Sequence, residues 1–395
     1  MYRQISLVAA ALTMAVPVAA AQSWNFTSNA NPSATSDRCG GGLACSRYGL
    51  AREWLAPHSG NYKVTIAGGE GGAGWETQNG ASIRVAGGAG AIMSGVYTLS
   101  AGTQLVIIAG QAGASSLPKS LYAFGTAGSL AGGGGGGGSF IFSVPQLILL
   151  GEENRHKWFD LSSSTILAAA GGGGGTTSFT QNFVSTTGSL LDFYGIGVGG
   201  PGLAGRDGGM TWRNELANSF MGGINGDQAG RTWIPDLGIG EYINSCSNSG
   251  ASYRVTALND CTYFNNAQSI DFGFAGGFVN EGVAGGYGGG GSGNRSTGPS
   301  QLFNSTGGGG GGGYSGGGGG AGNMTRIYGS GGGGGSYISD DAVFVSGLSG
   351  ANRGNGYVTI ELIAGVPEPA SWAMLIAGFG LVGAVARRKN AAIAV

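Results

Sequence analysis

The sequence predicts a mainly β protein in which antiparallel sheet is combined with a bundle of threefold extended polyglycine helices. Three observations carry this expectation. Short β-branched and aromatic runs recur along the chain, glycine supplies 88 of 395 residues, and no convincing amphipathic helix appears between the two ends. The ends complete the fold class: residues 1–21 read as a signal peptide, and the apolar segment 370–386 is expected to form a transmembrane helix.

At the N-terminus Arg3 precedes an apolar run from Ile5 to Val18, interrupted only by small polar residues and Pro17. Ala19-Ala20-Ala21 fits a small-x-small cleavage site, so Ala19 and Ala21 define a cut before Gln22. The mature chain then begins in strand-like sequence. Tyr62 to Ile66, Ala81 to Val85, Gly95 to Leu99 and Gln104 to Ile108 are mostly alternating runs bounded by Gly, Asn and Ser, the pattern of an antiparallel sheet. Further strands are predicted at 139–144, 146–150, 166–170, 342–346 and 356–363. The polar stretch Glu152 to Lys157 is expected to be a solvated loop between strands.

Between the strands lie glycine blocks at 132–138, 171–175, 288–291, 307–313, 316–320 and 331–335. A glycine run is ordinarily a flexible linker. Here, however, the blocks abut hydrophobic strands directly, as in Gly138-Ser139-Phe140-Ile141, Ala170-Gly171 and Gly335-Ser336-Tyr337-Ile338. Without a Cβ, such runs can pack closely enough for backbone N–H and C=O groups to bond sideways. Ordering each residue costs about 1–2 kcal/mol and a net hydrogen bond returns about 1 kcal/mol, so the bundle should need clamping by the flanking β-structure.

Composition narrows the function. Only 10% of residues are charged, against about 25% in ordinary domains, and the net charge of -1 gives no electrostatic reason to expect nucleic acid or an anionic surface as partner. Cys39, Cys45, Cys246 and Cys261 all lie in the exported part, where disulfides are expected. The sequence-local pairing would close two short loops, the other connectivities stay open, and the spacings match no zinc pattern. No metal or cofactor is expected.

Gly313-Tyr314-Ser315-Gly316-Gly317 satisfies the hydrolase pattern Gly-x-Ser-x-Gly, but a chain this rich in glycine meets that pattern by chance. A nucleophile elbow also needs a strand before it, a helix after it and an activating histidine; the chain has only His58 and His156. No catalytic residue is assigned. Asp340-Asp341 lacks the spaced acidic repeat of a calcium loop. Residues 176–280 depart from the glycine-strand alternation and read as an elaboration on the scaffold. Trp212 and Trp233 there are the candidate glycan contacts, against the plainer reading that they pack the insert's own core.

The C-terminus has three parts in order. Val366-Pro367-Glu368-Pro369 is stiff and extended because proline fixes φ and lacks a donor. Segment 370–386 would span about 25 Å as a helix, and Arg387, Arg388 and Lys389 would hold the C-terminus on the cytoplasmic side. These residues resemble the PEP-CTERM tail of Gram-negative bacteria, although Asn390 to Val395 run past the usual end. The resemblance implies recognition by an exosortase, a membrane transpeptidase that cuts near the motif and passes the protein to the cell surface or matrix.

The body of the chain resembles the glycine-rich extracellular domain of the anaplastic lymphoma kinase and leukocyte tyrosine kinase receptors. The matching residues are Gly102 to Gly113, Gly132 to Phe142, Ile166 to Gly175 and Tyr314-Ser315-Gly316, within about Trp24 to Ile363. This resemblance implies one cooperative domain over 22–363, an antiparallel β-sandwich-like unit joined to the polyglycine bundle, followed by the sorting tail 364–395. The functional expectation is a non-enzymatic, secreted, surface-sorted structural or adhesive protein of the extracellular matrix or biofilm. It would cross the inner membrane, be anchored there transiently, and take an exosortase, and exopolysaccharide or other matrix components, as partners. The alternative is a glycan- or ligand-binding module acting through the insert.

Overall fold

The computed structural model describes residues 22–28, 51–78, 81–116, 130–153, 156–176, 283–293, 303–320 and 330–365, shorter pieces between them, and a helical segment at 376–381. Two five-stranded antiparallel sheets form its centre. Their strands, labelled in chain order, are β1 (Ser23–Thr27), β2 (Arg52–Leu55), β3 (Gly60–Ala67), β4 (Gly90–Leu99), β5 (Gln104–Ile108), β6 (Ser139–Val144), β7 (Thr165–Ala170), β8 (Tyr337–Ile338), β9 (Val343–Asn352) and β10 (Tyr357–Gly365). The first sheet runs β1-β10-β3-β4-β9 and the second β8-β7-β6-β5-β2.

Side-chain alternation decides which faces meet. In β3 the residues Tyr62, Val64 and Ile66 are buried while Asn61, Lys63 and Thr65 stay partly exposed, the period-two pattern of a sheet with one wet face. Those buried residues, with Met93, Tyr97, Val358 and Ile360, pack against Leu105, Ile107, Ile141 and Ala168 of the second sheet in one core. The second sheet is buried on both faces, which is why Gln104–Ile108 reads as a nearly continuous apolar run. Val106, Ile108, Phe140 and Phe142 turn the other way, onto Phe159, Tyr287 and Tyr314.

Most predicted strands appear, longer than expected at 60–67, 90–99, 343–352 and 357–365. The region around residue 150 differs from the reading. Leu149–Glu153 and His156–Phe159 pair as antiparallel strands with Glu153 opposite His156, so the polar stretch 152–157 belongs mostly to a hairpin and the strand expected at 146–150 starts later. Cross-strand backbone pairing tolerates polar side chains there, whereas an apolar-pattern criterion passes over them.

The glycine runs are continuations of the strands. Residues 68–72 follow β3, 110–114 follow β5 and 171–175 follow β7, while 132–138 lead into β6 and 331–335 into β8. They therefore leave the two sheets at one common end and meet the runs 284–291 and 307–317. Their hydrogen bonds follow a rule. Along 133–138 the N–H groups donate in turn to Thr176, Ala114, Gly291, Gly173, Gln111 and Gly288, at 2.7–2.9 Å, so the same three neighbouring segments recur every third residue. Its carbonyls do likewise: those of Gly133 and Gly136 accept from Gly309 and Gly312, and those of Gly134 and Gly137 from Gly72 and Gly69. The packing excludes side chains: a Cβ on Gly135 would lie 2.0 Å from the Gly310 carbonyl oxygen, and one on Gly136 2.2 Å from that of Gly69.

Among the described residues no helix is long and apolar enough to cross a membrane. Of the expected transmembrane segment 370–386, residues 376–381 are helical and the rest lie outside the described residues. The expected signal peptide lies wholly outside them.

Candidate functional site

The strand that carries the sorting tail is β10, an interior strand of the first sheet. Its ladder fixes where the tail departs. Tyr357 stands opposite Ala67, the last residue before the 68–72 glycine run, and Gly365 stands opposite Gly60 at the far end of β3. The tail therefore leaves from the pole opposite the glycine runs. Strand β1 joins it there: Ser23 pairs with Glu361, and the Leu362 N–H donates to the Gln22 carbonyl at 2.9 Å. Gln22, the predicted first residue after export, thus lies on the strand next to the start of the tail. Trp24, Trp54 and Tyr62 close this pole, with Trp54 edge-on to the other two rings at 5.3 and 5.5 Å and the Tyr62 hydroxyl donating to the His58 carbonyl at 2.7 Å. Burial raises the Tyr62 pKa, with the bond to His58 opposing the rise.

The opposite pole is held by polar pegs. The buried Ser139 hydroxyl donates to the Ala67 carbonyl at 2.6 Å and accepts the Gly110 N–H at 2.8 Å, tying the outlets of β3, β5 and β6 together. Ser336 does the same beside β7, accepting the Gly171 N–H at 2.9 Å and donating to the Leu203 carbonyl at 2.5 Å. The turn between β9 and β10 clasps the runs from outside. Asn352 donates to the Gly68 carbonyl, Asn355 accepts the Ala112 N–H, and the Glu70 carboxylate takes both Arg353, at 2.6 Å, and the Gly354 N–H, at 2.8 Å. A positive φ of 80° at Gly354 permits that approach.

Sequence reasoning missed these pegs. Their only signals were a serine placed immediately after a glycine run, twice over, and a single carboxylate inside Gly68-Gly69-Glu70-Gly71-Gly72.

Other predicted positions distribute as follows. Ser315 is fully buried among the glycine runs, where its carbonyl accepts the Gly335 N–H; His58 is exposed in the turn before β3, at the other pole. Among the described residues no group of His, Cys, Asp or Glu could hold a metal ion, and Asp340 and Asp341 end in no such cluster. Cys39 lies in the two-residue strand Arg38–Cys39, paired with Leu43–Ala44. Cys45, Cys246, Cys261, Trp212, Trp233, Ala19, Ala21, the Val366 to Pro369 motif and Arg387 to Lys389 lie outside the described residues, and no disulfide is found among those described.

Burial shapes the titration of the core tyrosines. The Tyr97 hydroxyl, donating to the Leu167 carbonyl at 2.6 Å across the two sheets, is pushed up to about 12, chiefly by desolvation. Tyr287, wholly buried against the second sheet, is raised for the same reason.

No curated protein matches the chain. The family profile of the PEP-CTERM protein-sorting motif matches residues 365–389, from the last residue of β10 through Pro367, Glu368 and Pro369 to Lys389. That match supports a PEP-CTERM protein, the kind that is exported, processed by an exosortase and placed at the surface or outside the cell.

Proposed function

We propose that this is a non-enzymatic structural or adhesive protein of the extracellular matrix or biofilm, delivered by its C-terminal tail and released from a transient inner-membrane anchor by an exosortase. The observation that carries the reading is the polarity of the domain: glycine runs at one pole, sorting tail at the other. Only Val366 to Pro369 separate Gly365 from the apolar segment, at most about 13 Å of extended chain. While the tail is anchored, the tryptophan-closed pole faces the membrane and the glycine pole points away from it.

The three-residue recurrence of hydrogen-bond partners supports a second element of the proposal, that the runs are threefold extended polyglycine helices. Their continuity with the strands of a two-sheet core is in keeping with the likeness to the glycine-rich receptor domain. A domain whose interior is laced by backbone hydrogen bonds, and which carries few charges, suits a load-bearing rather than a chemical role. Exopolysaccharide or other matrix components are the partners such a role would bring.

The sorting claim is tested by fractionating cells that express the Pro367→Ala, Glu368→Ala double variant. Loss of the shortened, surface-located form is expected. Unchanged processing and delivery would remove the claim.

A further inference from the structure

The strand that opens the exported chain has an end on which the sheet depends. β1 is paired to β10, the strand that bears the tail, and its Trp24 and Phe26 pack against the core. Trp24 and Trp54 lie ring to ring at 5.3 Å. Residues trimmed from this end would uncover Trp54 and one side of β10. Chain ends are where proteolysis concentrates, and aminopeptidases work inward from a free α-amine. Gln22 is the residue they would meet first.

A glutamine at the first position of a chain carries its own electrophile. Its side-chain Cδ closes a five-membered ring with its own α-nitrogen, a reaction favoured because both groups belong to one residue. Gln22 is exposed and lies one place before β1, with its backbone carbonyl accepting the Leu362 N–H at 2.9 Å. That bond uses the one polar group of the residue that ring closure leaves untouched. Exposure leaves the side chain room to turn back on the α-nitrogen.

From this arrangement we infer that Gln22 is a modification site: once cleavage between Ala21 and Gln22 frees its α-amine, the residue cyclises to pyroglutamate and seals the end of β1 against aminopeptidases. The inference rests on the reading of residues 1–21 as a signal peptide. In the reaction the α-nitrogen bonds to Cδ, the Cδ–N bond of the carboxamide breaks, and ammonia leaves with a proton given up by the amine. No oxidant, reductant or cofactor takes part. A neutral lactam replaces an ammonium group, and Leu362 keeps the same carbonyl partner.

The test is mass spectrometry of the N-terminal peptide of the exported protein, with free amines methylated at harvest so that a ring formed during handling is intercepted. The expected peptide begins at Gln22, carries no methyl label on its end and is lighter than calculated by one ammonia. A Gln22→Asn variant, whose shorter side chain would have to close a strained four-membered ring, should carry the label at full mass and lose N-terminal residues to an added aminopeptidase that leaves the parent intact. A labelled, full-mass Gln22 in the parent, or the same response of parent and variant to the aminopeptidase, would overturn the inference. A peptide beginning at another residue would overturn it by a separate route, because it removes the cleavage site itself.

Discussion

Replacing Gly136 by alanine separates an ordered glycine bundle from a linker by the size of the effect. Gly136 sits in the middle of the 132–138 run, donating to the Gly173 carbonyl at 2.7 Å and accepting from Gly312 at 2.9 Å. A Cβ there would lie 2.2 Å from the Gly69 carbonyl oxygen and 2.7 Å from that of Glu70. Ordinary contact requires the 68–72 run to retreat by about 1 Å. That run is tied to its neighbour by the Gly69 N–H to the Gly137 carbonyl, at 2.8 Å, and by the Gly72 N–H to the Gly134 carbonyl. Losing two or three buried backbone bonds at about 1 kcal/mol each, with some groups left unsatisfied, puts the cost at about 3–5 kcal/mol. In a flexible linker the same change would leave stability nearly unchanged, because alanine would restrict the folded and the unfolded chain alike. Thermal and urea unfolding of the exported protein, followed by circular dichroism, measures the loss directly. An unchanged or raised midpoint would refute the packing argument for the whole bundle.

Two further perturbations follow from the same contacts. Ser139→Ala should strand the Ala67 carbonyl and the Gly110 N–H in a buried site and cost about 2–4 kcal/mol, measured by urea unfolding; a loss below half a kcal/mol, the scale of a neutral surface change, would mean that the peg is not needed. Tyr97 has a folded pKa of about 12 against 10.0 unfolded, so the unfolded chain releases its proton first. Its contribution is intact below pH 10 and is lost as pH rises from 10 to 12, at up to about 1.4 kcal/mol per unit. Tyr97→Phe should destabilise by about 1 kcal/mol at pH 7, through the lost bond to Leu167, and flatten the alkaline fall measured between those limits; an unaltered alkaline slope would show that another group governs it.

Much of the β-structure was legible because its signals are local. Tyr62 to Ile66 alternates one buried with one half-exposed residue, and Gln104 to Ile108 is apolar throughout because both its faces are covered; each pattern is visible in a window of a few residues. The pairing of Leu149–Glu153 with His156–Phe159 was misread because it rests on backbone bonds that leave no apolar pattern. The pegs were missed for a related reason. Nothing in Gly138-Ser139 distinguishes a peg from a turn serine until Ala67 and Gly110, distant in sequence, are brought to the same hydroxyl. Glu70 likewise reads as a stray charge until the turn at Arg353 and Gly354 closes over it.

The sorting tail is the part that sequence determined unaided. Proline rigidity, an apolar stretch of membrane length and a basic end act through their own chemistry and need no partner in the fold. Which way the tail points could come only from the tertiary structure. The antiparallel ladder of β10 against β3 and β1 sends the tail out beside Gln22 and the glycine runs out at the other end. The runs themselves show the division at its sharpest: sequence supplies the missing Cβ atoms, and three-dimensional packing supplies the neighbours that each N–H meets every third residue. A glycine run has no side chain with which to specify a partner, so its partners are fixed by the strands that deliver it.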